Sequence, residues 1–449
     1  MNRWRDSFSV YADRRVRALL FLGFSSGLPL ALVFATLSAW LTEIGLSLKT
    51  IGFISLVGIA YSLKFLWSPI VDRMRLPVLS GQFGRRRAWM LVSQTGVIGA
   101  ILAISLTDPS RAGGLWWTVF WAVALAFASA TQDIVIDAYR TEILEEEKLG
   151  AGAASLILGY RVAMLTSGGG ALILAQYWGW GVAYAAMAVL MGTGVVTTLL
   201  SPEPDVRQSR QSYYLEYVAV KWSERHSGLP EGLRAALTWI YSAVFCPFRE
   251  FATRPGWVAV LLFVALYKYG DALLGTMATP FYLKIGFSLA EIGVISKGFG
   301  LVMTLAGAAI GGLLVARLGI LKALLICGLL QAASNLVFAV QAAVGADLAM
   351  LGFTIGFENL TGGMGTTAFV AYLSSLCNVA YTATQYALLS SLMATTRTVF
   401  ASGGGWLAEQ MDWVSFFLLT TVAAVPGLLL LVWMMRRYPA SRFSQEEGG

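Results

Sequence analysis

The chain has 449 residues, 57% hydrophobic and 13% charged, with a formal charge of +7 and a mean hydropathy of +0.68. A soluble protein of this size carries about a quarter charged residues to cover its surface, so this composition excludes a soluble globular chain. Three scattered cysteines, Cys246, Cys327 and Cys377, exclude a disulfide framework, and basic loops on one side of a membrane explain the positive balance better than nucleic acid does.

In chain order, apolar runs long enough to cross about 30 Å of hydrocarbon as helices fall near 17–42, 48–70, 86–106, 115–140, 150–177, 179–200, 257–283, 288–315, 320–343, 347–377, 382–408 and 412–435. Alternating strands of about ten residues, the mark of an outer-membrane barrel, are absent. Residues 1–17 are polar and basic, and the run behind them is too long for the core of a signal peptide. The loops alternate in charge. Arg3, Arg5, Arg14, Arg15 and Arg17 precede the first span, and Arg73, Arg75 and Arg85–Arg87 follow the second. Seven more Lys or Arg, from Arg207 to Arg254, fill the segment 201–254, whereas the opposite loops hold only Lys49, Arg111 and Lys284. Positive charge retained inside places both termini and 201–254 in the cytoplasm. The organisation expected is a six-helix bundle over 1–200, a linker over 201–254 and a second bundle over 255–449. Within the linker, Tyr214, Tyr217, Val218 and Lys221 share a helical face and predict an amphipathic helix.

The two bundles are repeats. Residues 41–55, LTEIGLSLKTIGFIS, align without gaps with 282–296, YLKIGFSLAEIGVIS, pairing Gly45 with Gly286, Ser47 with Ser288 and Gly52 with Gly293. Arg161 precedes Ser167–Gly170 as Arg397 precedes Ser402–Gly405, and Asp72-Arg73 pairs with Ala316-Arg317. Two such repeats around a cavity suit alternating access. With Asp72-Arg73 followed by Gly84-Arg85-Arg86-Arg87, the chain resembles the major facilitator superfamily. The resemblance implies an all-α integral membrane protein of twelve transmembrane helices in two six-helix repeats. It also implies that Asp72, Arg73, Gly84, Arg85, Arg86 and Arg87 latch one conformation; otherwise these arginines only set topology.

Eight ionisable residues lie inside the spans: Lys64, Asp133, Arg161, Lys268, Asp271, Lys297, Glu358 and Arg397. Each costs roughly 2.5 kcal/mol or more near the bilayer centre, so each must face protein or water. Lys268 and Asp271, three apart, can pair on their own helix. Asp137 and Arg140 sit near the end of their span and can serve as an anchor. Arg161 and Arg397 can line a cavity or support helix contacts. The surplus of two basic residues suits an anionic, carboxylate-bearing cargo. Because the single histidine, His226, lies in the linker, a proton carrier inside the membrane must be a carboxylate: Asp133, Glu358 or Asp271. The glycine runs Gly168–Gly170, Gly362–Gly363 and Gly403–Gly405 fall within helices and permit close approach or bending. No Walker pattern, metal-ligand spacing or nucleophile elbow occurs, so no cofactor, metal or catalytic residue is expected and the chain is not read as an enzyme.

Six stretches in order resemble the AmpG muropeptide permeases: Gly23–Leu30, Tyr61–Pro69, Ser129–Tyr139, Gly150–Gly170, Leu266–Ala272 and Phe357–Phe369. The acetyl-coenzyme A transporters share the pattern around Gln132-Asp133 and Asp137-Ala138, and the second-half stretches favour the muropeptide branch. Some members carry two extra carboxy-terminal helices, whereas this chain is expected to hold the twelve-helix core. The resemblance implies proton-driven import of N-acetylglucosaminyl-1,6-anhydro-N-acetylmuramyl peptides across a bacterial inner membrane, serving wall recycling and β-lactamase induction. The expected substrate-binding set is Lys64, Gln132, Arg161, Lys268, Lys297, Asn359 and Arg397. The expected partners are that anionic glycopeptide, protons and membrane lipid, with no nucleic acid and a monomeric chain. A permease for another organic anion, of acyl-coenzyme A or peptide type, and a non-transporting receptor stay open.

Overall fold

Inside hydrocarbon a backbone can satisfy its polar groups only within helices or a closed barrel, and the described residues contain no strand. The computed structural model describes residues 10–46, 54–111, 113–205, 217, 220–221, 224–225, 228, 230–379 and 381–437. Among the described residues, nine helices are long and apolar enough to cross a membrane. Numbering all twelve spans in chain order, these nine are α1 (Arg14–Glu43), α3 (Arg85–Ser105), α4 (Gly114–Ile143), α5 (Glu146–Trp178), α6 (Trp180–Leu200), α7 (Trp257–Lys284), α8 (Glu291–Leu318), α9 (Ile320–Val344) and α12 (Trp413–Arg437). The other three are α2 (55–73), which is broken into short pieces, α10 (Leu348–Ser375) and α11 (Thr382–Gln410). The architecture is the expected all-α membrane fold of two six-helix sets.

The repeat is visible in the backbone. α1 and α7 both end on a left-handed glycine, Gly45 at φ +81° and Gly286 at φ +111°. Beyond each, the chain turns back identically, Leu46 N donating to Leu41 O and Phe287 N to Tyr282 O, both at 3.1 Å. These are helix C-caps that glycine alone adopts without strain. Ser288 and Glu291 then form a reciprocal capping box at the start of the next helix. The matching Ser47 and Gly52 lie outside the described residues.

Glycine also sets which helices touch. A Cβ on Gly159 of α5 would lie 1.8 Å from Leu20 O, and Cβ atoms on Gly23 and Gly27 of α1 would strike Leu156 O and Tyr160 O. α1 and α5 therefore meet backbone to backbone. In the second half the same contact joins α8 to α10: a Cβ on Gly307 would lie 2.0 Å from Leu360 O, and one on Gly363 2.3 Å from Thr304 O.

Two helices are discontinuous. α2 passes through a 3₁₀ turn at Lys64–Leu66 before resuming at Ser68–Arg73. α7 stops at Leu266 and restarts at Tyr269, with Lys268 at the break. π-helical turns occupy Leu32–Thr36 in α1, Thr166–Gly170 in α5 and Val294–Phe299 in α8. The first two pack together, Thr36 Oγ1 donating to Ser167 O at 2.6 Å and so satisfying a carbonyl of the wider turn. The Gly168–Gly170 run thus lies in a π-turn, while its counterpart Gly403–Gly405 lies in regular α-helix.

The amphipathic helix expected at Tyr214–Lys221 falls largely outside the described residues. The linker helix that is described runs later, through Glu231–Ile240, Tyr241–Phe245 and Cys246–Thr253. One apolar cluster draws on both halves, from Val16 and Tyr139 to Phe263, Tyr386 and Leu431. It lies at the end of the bundle that carries Asp72 and Arg85–Arg87, called here the basic end. The clusters toward the opposite end are each built by a single half, around Trp40 and Tyr184 in one and Phe281 and Phe417 in the other. The halves are therefore joined at the basic end.

Candidate transport pathway and latch

The junction at the basic end is electrostatic as well as apolar. Asp72, near the end of α2, is 1% exposed. Its carboxylate accepts from Ala383 N at 3.1 Å, Thr384 N at 2.6 Å and Thr384 Oγ1 at 2.6 Å. These are the unpaired amides of the first turn of α11, where a helix terminus favours negative charge, so a first-half carboxylate caps a second-half helix. Arg86 holds Asp72 in place. Its Nη2 donates to Asp72 Oδ1 at 2.7 Å, and its guanidinium also engages Glu142 of α4, with Nε donating to Oε2 at 2.9 Å. Arg85 donates to the Asp72 carbonyl and lies 3.9 Å from Glu142. Arg73 donates to Ser242 O of the linker helix and stacks on Tyr381. Arg87 caps the last carbonyls of α6, Thr198 and Leu199.

Gly84 has a geometric task. At φ +86° it opens α3, and a Cβ there would lie 2.3 Å from the Glu203 side chain. That space lets Glu203 accept from Arg86 N at 2.7 Å and Arg87 N at 3.0 Å, capping α3 as Asp72 caps α11.

The intramembrane groups form one cluster in each half. In the first, Ser26 Oγ donates to Asp133 Oδ1 at 2.5 Å, and Gln132 Nε2 donates to Ser25 Oγ at 2.8 Å. Lys64, at the break in α2, lies 3.7 Å from Asp137, which is in turn 3.5 Å from Arg140. Arg140 is wholly buried, and its guanidinium lies over the Tyr386 ring of α11, 5.2 Å from the centroid. The expected anchor pair thus also reaches the other half. Trp67 Nε1 donates to Thr131 Oγ1 at 3.1 Å, tying the α2 break to α4.

In the second half Lys268, at the break in α7, pairs with Asp271 at 3.3 Å and donates to Gln331 Oε1 at 2.9 Å. Gly365 makes room for this, since a Cβ there would lie 2.4 Å from Gln331 Oε1. Asn359 Nδ2 donates to Glu358 Oε2 at 2.8 Å, and its Oδ1 accepts from Thr304 Oγ1 of α8 at 2.8 Å.

The structure brings Lys268 to Asp271, Asn359 to Glu358 and Lys64 to the Asp133–Asp137 face. It keeps the Asp133 and Glu358 clusters in separate halves. Gln132 is fully buried against α1, and Asn359 is committed within its own half. Arg161 and Arg397 are exposed and form no ion pair among the described residues. Lys297 falls in the π-turn of α8, and its side chain lies outside the described residues.

The profile of the Major Facilitator Superfamily matches residues 19–283. An anhydromuropeptide permease of Escherichia coli (strain K12) is 44% identical over 425 residues, covering 94% of this chain and 80% of that protein. An uncharacterized protein of Haemophilus influenzae is 36% identical over 434 residues, covering 94% of each. The chain belongs to the major facilitator superfamily. Solved structures agree at the level of fold. The proton:xylose symporter XylE superposes with a TM-score of 0.59 at 14% identity, covering 96% of both chains. The human organic anion transporter MFSD10 superposes with a TM-score of 0.57 at 16% identity, covering 93% of this chain and 99% of that one.

Like its superfamily relatives, the chain is a multi-pass membrane transporter, and much of the polar network at its basic end escapes a reading of the sequence. Glu142 and Glu203 accept the bonds of Arg86 and Arg87, and Thr384 donates to Asp72. A third carboxylate, Glu250 of the linker helix, is 1% exposed. It accepts from Arg254 Nη2 at 2.7 Å and from Gln385 Nε2 at 2.5 Å, while Arg254 also donates to Leu376 O. The linker helix is thereby fastened to the α10–α11 turn. Among these, only the Glu250–Arg254 spacing of four carried a sequence signal.

Proposed function

We propose that this superfamily member imports anhydromuropeptides, N-acetylglucosaminyl-1,6-anhydro-N-acetylmuramyl peptides, from periplasm to cytoplasm by proton symport. The observation that carries the reading is the near full-length likeness to an anhydromuropeptide permease. The basic surplus inside the spans supports an anionic cargo.

In this reading the protein lies in a bacterial inner membrane with the basic end cytoplasmic. Residues 1–200 and 255–449 are two rocking bundles joined by 201–254. With the halves joined at the basic end, this conformation is closed toward the cytoplasm. Lys64, Arg161, Lys268, Lys297 and Arg397 receive the cargo. Gln132 and Asn359 act beside their neighbours Asp133 and Glu358, which with Asp271 are the candidates for the proton. Asp72, Arg73, Gly84 and Arg85–Arg87 form the switch.

The test is uptake of labelled anhydromuropeptide into proteoliposomes with and without an inward proton gradient. Accumulation only with the gradient is expected; uptake indifferent to it overturns symport, and no uptake overturns the cargo. Topology is tested separately with an impermeant thiol reagent. Ser110→Cys should label from outside intact cells and Glu231→Cys only after lysis. Labelling of both from outside would reverse the orientation.

A further inference from the structure

Between α1 and α6, on the outer wall of the first half at the basic end, lies a groove of about 540 Å³. Its shape follows from residue size. Thr193, Thr197 and Ser201 succeed one another every fourth residue along α6 and its C-cap and, with Ala18 of α1, form a floor of small side chains. Such stripes commonly bring membrane helices into contact. Here Phe21, Val196 and Leu200, which are 51%, 56% and 65% exposed, rise as walls instead.

The three hydroxyls add little polarity. Thr193 Oγ1 donates to Leu190 O at 2.8 Å, Thr197 Oγ1 to Thr193 O at 2.7 Å and Ser201 Oγ to Thr197 O at 2.7 Å. With their protons turned back onto their own helix, they present carbon to the groove. The polar character is concentrated at the basic end, in Arg14 and Arg17. Arg14 Nη2 donates to Leu200 O at 2.9 Å. The Arg17 side chain, also exposed, forms no hydrogen bond or ion pair among the described residues. Among the described residues, no carboxylate lines the groove to neutralise either one.

A slot with carbon walls, two guanidinium groups at its mouth and a position on the membrane-facing wall matches one ligand chemistry: an apolar chain joined to an anionic head. We propose that this groove binds an anionic phospholipid, its phosphate on Arg14 and Arg17 and one acyl chain along Ala18, Phe21 and Thr197. From Ser201 to Thr193 the floor runs about 12 Å, room for a substantial part of one acyl chain. Neither arginine belongs to the latch or to the intramembrane clusters, so the inference does not depend on the cargo.

The experiment is native mass spectrometry of the full-length protein, titrated with phosphatidylglycerol and phosphatidylethanolamine of identical acyl chains, with inorganic phosphate as a competitor. The wild type should retain phosphatidylglycerol in preference to phosphatidylethanolamine. Arg17→Gln breaks no side-chain hydrogen bond or ion pair among the described residues and should reduce that preference about fivefold, the effect of one interfacial basic residue; adding Arg14→Gln should abolish it. Thr197→Leu, which fills the floor, should weaken retention with both arginines in place. Equal retention of the two lipids by the wild type overturns the proposal, as does a preference that survives the double substitution. Full displacement by inorganic phosphate would place the affinity in the arginines alone and overturn the groove's part in it.

Discussion

The two halves repeat one another in sequence yet are braced differently. In the first, glycines lock α1 to α5 and the broken helix is α2; in the second, glycines lock α8 to α10 and the broken helix is α7. If the repeat were strict, the α1–α5 contact would recur at α7–α11 and the α2 break at α8. The acids are also staggered. Measured along their helices, Glu358 lies about 10 Å further from the basic end than Asp133. The lesson is that a duplicated fold conserves helix order and caps more readily than the placement of close contacts and charges. Unequal bracing gives each half its own close-packed pair and its own broken helix, and each broken helix carries a basic residue at its break, Lys64 or Lys268.

The bracing contrast predicts the largest effects. Gly159→Leu and Gly307→Leu should each prevent accumulation of folded protein, because overpacking at a backbone contact costs about 3 kcal/mol or more. Gly192→Ala, where no neighbour lies within 4 Å, should leave yield and thermal midpoint nearly unchanged. Size-exclusion profiles and melting curves decide. A folded Gly159→Leu protein with wild-type melting would dissolve the contrast.

Next come the staggered acids. Asp133→Asn and Glu358→Gln mimic the protonated side chains and should abolish proton-driven accumulation while leaving downhill exchange of cargo. Proteoliposomes assayed in both modes supply the measurement. If both variants accumulate cargo with the wild-type pH dependence, neither acid carries the proton, and Asp271 becomes the candidate.

Asp72→Asn sharpens a different contrast, between the joined basic end and the opposite end. It weakens the cap on α11 and leaves the Arg86 guanidinium only Glu142 as an ion-pair partner among the described residues. A loss of about 1.4 kcal/mol would shift the conformational equilibrium about tenfold toward opening. Uptake should slow by about that factor with cargo affinity within about twofold. Spin-label distances across the basic end would show the shift, and a large affinity loss with unchanged distances would assign Asp72 to binding.

The smallest effect belongs to Asp13, which caps α1 and pairs with Arg15 at 3.1 Å and Lys148 at 3.0 Å. Its hydrogen bonds with Arg15, and then with Lys148, hold its carboxyl below the usual carboxylate range. Its contribution is therefore fully present above the unfolded value of about 3.9 and is lost as pH falls toward the folded one. Asp13→Asn should cost under about 1 kcal/mol near neutral pH and flatten the acid limb of the melting curve. An unchanged acid limb would remove Asp13 from the acid response.

The sequence by itself determined the helices, their number and the repeat, because each rests on local chemistry. Apolar length specifies a span, and a spacing of three brings Lys268 to Asp271. It also identified Asp72 and Arg85–Arg87 through a resemblance. Only the tertiary structure decided which groups those charges meet. Asp72 reaches Thr384, 312 residues away, and Arg86 reaches Glu142, 56 away; no periodicity encodes a contact between different helices. The break at Lys268 was equally hidden, since no proline marks it. Its geometry depends on Gln331 of α9 and the space left by Gly365 of α10, which come together only when the helices pack.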